Sequence, residues 1–139
     1  MCYTNSFIQV APDCPATTGE IPVARGETKS VPVIQYELLS QHPYRFTQDE
    51  LIFEVHVRHK RIPKSEVSRR RDELWKELFQ KPHPCLRASM LPKRYGWGVH
   101  YDHKGRIALV ATDSQEYAQF ADGKCGGPKL LLAMRNKRP

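Results

Sequence analysis

Trp97-Gly98-Val99-His100-Tyr101-Asp102-His103-Lys104-Gly105-Arg106-Ile107-Ala108-Leu109-Val110-Ala111 reads as two strands joined by a tight turn. β-forming residues flank Asp102-His103-Lys104-Gly105, and the glycine supplies the positive φ that a short hairpin turn requires. Strands are therefore expected over 97–102 and 106–111. Successive side chains on a strand alternate, so Trp97, Val99 and Tyr101 face one way and Gly98, His100 and Asp102 the other. That parity puts His100 beside a carboxylate able to orient its ring. His103 falls at the turn tip, where a solvated residue is the ordinary reading.

Working outward from the hairpin, helical signals dominate. Ser30 caps a segment with Pro32 in its first turn and Val31, Ile34 and Leu38 on one face, and Pro43 marks its end; a helix is expected over 31–41. Thr47-x-x-Glu50 has the pattern of a capping box opening a brief helical turn. Phe53, Val55 and Val57 then alternate with Glu54, His56 and Arg58, and this period of two predicts a strand. After Pro63, with Ser65 as N-cap, Val67, Leu74, Trp75, Leu78 and Phe79 recur at helical spacing until Pro82. The outer face of that helix is charged, and Arg69 with Glu73, Asp72 with Lys76 and Glu77 with Lys81 stand four apart, a spacing suited to mutual support on a solvated face. Asp113-x-x-Glu116 introduces a short helix ended by Gly123, and the apolar run Leu130 to Met134 is expected to complete the sheet. The reading is an α+β fold. It is a single compact domain over 1–139, with a mostly antiparallel sheet, about three helices packed on it, and a long surface loop at 12–29.

The bulk properties agree with a globular chain. At 139 residues, with 40% hydrophobic and 27% charged residues, one core is expected. No apolar run is long enough to span a bilayer, and the N-terminus has no secretory signal pattern, so a cytoplasmic protein is expected. Cys2, Cys14, Cys85 and Cys125 are scattered without a Cys-x-x-Cys pair and read as free thiols. Charge is unevenly divided. Residues 1–57 carry −4 and residues 58–139 carry +11, with seven Lys or Arg between Arg58 and Arg71 against Glu66 alone. A basic half of that kind suits an anionic small molecule, nucleic acid or an acidic protein surface, besides serving solubility.

Candidate chemistry concentrates in three short clusters, His56 with His59, His83 with Cys85, and His100 with His103. His56, His83, Cys85 and His100 are candidate ligands for zinc or another transition metal. Without metal, Cys85 is a candidate nucleophile with His56 or His100 as its base, oriented by Glu54 or Asp102. For an anionic ligand, Arg58, Arg87, Lys93 and Arg94 would supply charge, and Tyr95 and Trp97 a stacking surface. No spacing matches a nucleotide loop, a zinc-finger framework, a hydrolase elbow or a kinase signature.

Four stretches carry a resemblance. Asn5-Ser6-Phe7-Ile8-Gln9-Val10-Ala11-Pro12-Asp13-Cys14, Phe53-Glu54-Val55-His56-Val57-Arg58-His59-Lys60, the block from 81 to 100, and Ala133-Met134-Arg135-Asn136-Lys137-Arg138 resemble a family of small bacterial proteins known only as a domain of unknown function. The resemblance spans nearly the whole chain and implies a self-contained domain. It brings no activity, cofactor or catalytic residue. Binding of an anionic ligand through the basic second half is therefore the leading expectation. A small His/Cys enzyme, metal-dependent or using a Cys nucleophile, is the alternative, and a protein interaction module the second alternative.

Overall fold

The structure, a computed structural model, describes residues 3–24, 26, 29–123 and 127–136. In chain order it has β1 (Ser6–Gln9), α1 (Val31–Gln41), α2 (Gln48–His59), α3 (Lys64–Leu78), a 3-10 turn (Leu86–Ala88), α4 (Met90–Arg94), β2 (Trp97–Tyr101), β3 (Ile107–Ala111), α5 (Gln115–Ala121) and β4 (Lys129–Leu132). The fold is α+β, with more helices among the described residues than the three expected. One four-stranded sheet runs in the order β3-β2-β1-β4, with β1 antiparallel to β2 and parallel to β4.

The hairpin forms as read. Trp97 pairs with Ala111 and Tyr101 with Ile107. Gly105 has φ of 79° at the turn, and Asp102 Oδ1 accepts the backbone N–H groups of Lys104 and Arg106 at 2.9 and 2.8 Å. His103 is exposed at the tip.

Alternation on the strands sorts two packed faces. Ile8, Val99, Tyr101 and Ile107 meet Leu39, Leu51 and Leu91 from α1, α2 and α4 in the main core. Phe7 and Gly98 face α5, where Phe7 lies 5.1 Å from the Tyr117 ring and 5.2 Å from the Phe120 ring. A Cβ at Gly98 would come within 2.7 Å of the Phe7 ring and 2.8 Å of the Tyr117 ring, so glycine is what lets α5 lie this close to the sheet. The central strand, β1, has only four residues, with Phe7 and Ile8 fully buried. So short an apolar run has no periodicity to announce it.

The expected strand at 53–58 is instead the middle of α2. The capping box forms at its start: the Glu50 N–H donates to Thr47 Oγ1 at 3.4 Å and the Thr47 N–H to Glu50 Oε1 at 3.0 Å. The alternation of Phe53, Val55 and Val57 has a different cause. Leu51 and Val55, four apart, enter the main core. Phe53 and Val57, also four apart, lie about half a turn around the helix and pack on Leu74 of α3 in a second cluster. Two helical stripes interleave to imitate a strand.

The helix after Pro63 begins two residues earlier than expected, with Pro63 and not Ser65 at its cap. Its charged face is self-paired, although through Arg70 and not the three pairs read from spacing; Arg70 contacts Glu66, Glu73 and Glu77 at 3.4, 3.0 and 3.4 Å. The last short helix is capped by Ser114, one residue beyond the expected Asp113, with Ser114 Oγ accepting the Tyr117 N–H at 3.1 Å. No helix among the described residues is long and apolar enough to cross a membrane.

Candidate functional site

Residues 48 to 59 as a helix bring Ile52, Val55, His56 and His59 onto one side, because positions three and four apart are neighbours on a helix. Across from that side runs the segment 83–90. Pro82 and Pro84 bar a continuation of α3, Leu86 buries itself in the main core, and Ser89 caps α4 by accepting the Leu91 N–H at 3.2 Å. Ser89 also donates to Gln35 Oε1 at 2.7 Å, fixing the segment against α1. Between α1, α2, the end of α3 and this segment opens a cleft of about 350 Å³.

Most of its lining is apolar, including Val31, Leu51, Ile52, Val55, Leu78, Leu86 and Met90. Its polar chemistry is His56, His59, His83 and Cys85, with Gln35, Gln48 and Ser89. No Asp or Glu is among the described lining residues. Two of the three clusters read from sequence thus meet, one from a helix and one from a proline-bound loop.

The four groups differ in their surroundings. Burial, then the nearby charges of Lys60, His83 and His59, pulls the His56 pKa below the usual imidazole value, favouring the neutral ring. His83 Nε2 lies 2.6 Å from the Leu78 carbonyl, which only accepts; Nε2 therefore carries the proton, and in the neutral ring Nδ1 keeps a lone pair. Phe79 packs edge-on to the same ring at 5.6 Å. The Tyr3 hydroxyl lies 3.6 Å from Cys85 Sγ. That contact and partial burial push the Tyr3 phenol pKa upward. Cys85 and Cys14 are free thiols, while Cys2 and Cys125 lie outside the described residues.

His100 is not part of this cleft. It stacks on Phe120 at 4.2 Å and shares a 2.9 Å hydrogen bond between its Nδ1 and the Tyr44 hydroxyl. Burial lowers its pKa, against an opposing pull from Asp102. The partner that holds the ring is Tyr44, while Asp102 spends its carboxylate on the hairpin turn. Partial burial pushes the Asp102 pKa up, but those backbone donors with His103 and Arg106 outweigh it and leave the carboxyl below its usual value. Among the described residues no three His, Cys, Asp or Glu side chains stand together as a metal-holding group.

The expected anion-binding residues are dispersed. Arg58 pairs with Glu54 on α2. Arg87 Nε donates to the Leu132 carbonyl of β4 at 2.7 Å. The Lys93 carbonyl accepts from Asn136 Nδ2 at 2.8 Å, and Arg94 is exposed nearby. Tyr95 packs half-buried on the main core, and Trp97 lies against Tyr36 at 5.4 Å with its Nε1 donating to the Glu20 carbonyl at 2.7 Å. Trp97 thereby holds the 12–24 segment through its side chain, and Tyr95 through its backbone carbonyl, which accepts the Glu20 N–H at 2.7 Å.

A family model described as a family of unknown function, DUF6157, matches residues 1–139. The chain belongs to that family. No curated protein and no solved structure matches it. Within this DUF6157 fold, the cleft members not named as site candidates from the sequence include His59, Gln35 and Ser89, with Tyr3 reaching Cys85 from outside the lining. The first had a signal: His56 and His59 are three apart, a shared face on a helix and opposite faces on a strand. Gln35, Ser89 and Tyr3 had none, since they join the site by tertiary contact.

Proposed function

We propose that the protein binds a small amphipathic carboxylate in the cleft between α1, α2 and the 83–90 segment. The observation that carries this reading is the convergence of His56, His59, His83 and Cys85 on one apolar hollow of about 350 Å³. Small-ligand sites are typically apolar hollows of roughly this size with a few convergent polar groups that fix orientation. The apolar walls suit a hydrocarbon or aromatic body. The imidazoles, as donors or as cations, suit an acidic head group, and the lack of a carboxylate in the described lining disfavours a cationic one.

An anion entering beside His56 raises the affinity of that ring for a proton, so binding is expected to take up protons near neutral pH. The reading keeps the anionic ligand expected from the charge balance but moves it from the dispersed arginines to the histidine wall. The test is calorimetric titration of octanoate and decanoate into the full chain. Saturable binding at one site is expected, at least tenfold weaker in Ile52→Trp and in Val31→Trp, which fill the hollow from opposite helices. No saturable heat with the wild type, or equal affinity in both filled variants, would sink the proposal.

A further inference from the structure

The outer edge of β4 is half closed. On its inner side the Lys129 and Ala133 N–H groups donate to the Asn5 and Gln9 carbonyls at 2.7 and 2.9 Å. An extended chain alternates the direction of its backbone groups, so residues 128, 130, 132 and 134 turn theirs away from β1. Arg87 takes two of these outward groups: its Nε donates to the Leu132 carbonyl at 2.7 Å, and its own carbonyl accepts the Met134 N–H at 2.8 Å. The Pro128 carbonyl, the Leu130 N–H and carbonyl, and the Leu132 N–H have no hydrogen-bond partner among the described residues. Pro128 has no N–H to leave open.

The side chains follow the same alternation. Leu131 packs against the main core. Leu130 lies on the α5 side, with its Cδ1 beside Gly123, and Leu132 on that same side is 47% exposed. Neither leucine lines the cleft of His56 and Cys85. An open strand edge flanked by an exposed leucine is a template for another strand. At the opposite edge of the sheet, the Ile107 carbonyl and N–H of β3 are bonded to the Tyr44 N–H and the Phe46 carbonyl at 2.8 and 2.9 Å, so a strand arriving there would have to displace that segment.

We propose that two copies of this chain pair antiparallel along β4 about a two-fold axis at Leu130. In that register the Leu130 N–H meets the Leu130 carbonyl of the second copy, and the Leu132 N–H meets its Pro128 carbonyl, each bond repeated by symmetry. Every open group of the edge then has a partner. The register also sets Pro128, which has no donor, against the Leu132 carbonyl, which Arg87 already satisfies. A foreign strand of ordinary sequence would bring an N–H to that carbonyl, where Arg87 sits; a second copy brings a proline. Side chains match as well, with Leu130 opposite Leu130, Leu132 opposite Pro128 and Lys129 opposite Leu131, so no like charges are directly opposed. The bend at Gly127 ends the paired stretch before the second copy's strand reaches Arg87. The four-stranded sheet thereby continues across the axis into its copy.

The test is sedimentation equilibrium of the full chain from dilute solution to its solubility limit, joined to amide hydrogen exchange read by NMR at both ends of that range. A reversible monomer–dimer equilibrium is expected. The Leu130 and Leu132 N–H groups are expected to exchange at least tenfold more slowly in the dimer, while the Leu131 N–H, held by β1, is slow at both concentrations. Leu132→Pro removes one outward donor and leaves the neighbouring bonds to β1 in place; Leu132→Lys keeps the backbone intact and sets a charge against Pro128. Both are expected to weaken dimerisation at least tenfold. Val23→Lys, which removes an 80% exposed apolar side chain elsewhere, is expected to dimerise as the wild type does. A monomer at every concentration, a dimer in which Leu130 and Leu132 exchange as fast as in the monomer, full affinity in Leu132→Lys, or an equal loss in Val23→Lys would overturn the proposal.

Discussion

Two histidines set an expected acid limit on stability. His56 and His100 both have pKa values lowered chiefly by burial, the first further by neighbouring cations and the second in part restored by Asp102. A folded-state pKa below the unfolded value means that the unfolded chain binds the proton more readily. The stability associated with each ring is therefore complete above about pH 6.5, the unfolded value, and is lost as pH falls from there through the lowered folded value. Urea unfolding midpoints measured between pH 7 and pH 5 are expected to fall less for His100→Gln and for His56→Gln than for the wild type. Equal slopes in all three proteins would contradict these assignments. At this scale the sequence was partly legible. His56, His83 and Cys85 were singled out by residue type and do share a cleft, whereas His100, chosen on the same grounds, stands elsewhere with Tyr44 and Phe120. Residue type announces reactive groups, but only tertiary contact decides which of them meet.

Among the elements, α2 is the pivot. One stripe of it, Leu51 and Val55, enters the main core; another, Phe53 and Val57, holds α3; a third, with His56 and His59, lines the cleft. Its start depends on the capping box at Thr47 and Glu50. Thr47→Ala is expected to cost about 1 kcal/mol, the usual loss for an N-cap, measurable as a lower urea midpoint with an unchanged slope. A midpoint equal to the wild type's would show that tertiary packing alone fixes the helix start. The hairpin, α1, the helix after Pro63 and the final strand were readable because each carries local signals: Gly105 in its turn, Ser30 with Pro32, apolar residues at helical spacing, and an apolar run after glycines. Interleaved stripes hid α2, because a helix buried on two sides shows apolar residues two apart. That misreading also separated His56 from His59. β1 was hidden for a simpler reason, being four residues buried on both faces by partners distant in sequence.

At the level of the whole molecule, the sheet is covered on one face by α1, α2 and α4 and on the other by α5, and the cleft opens within the thicker layer. The family assignment carries no activity, so the account rests on that cleft. Its location supplies an internal reference: Cys85 lines the hollow, while Cys14 packs beside the main core and hydrogen-bonds its thiol to the Ala16 carbonyl at 3.7 Å. A carboxylate seated against the imidazoles covers the first thiol and leaves the second untouched. The deciding measurement is the rate of iodoacetamide alkylation at each cysteine, followed by peptide mass spectrometry with and without saturating decanoate. At least a tenfold slowing at Cys85 with no change at Cys14 is predicted. An unchanged rate at Cys85, or equal slowing at both thiols, would contradict the cleft as the ligand site.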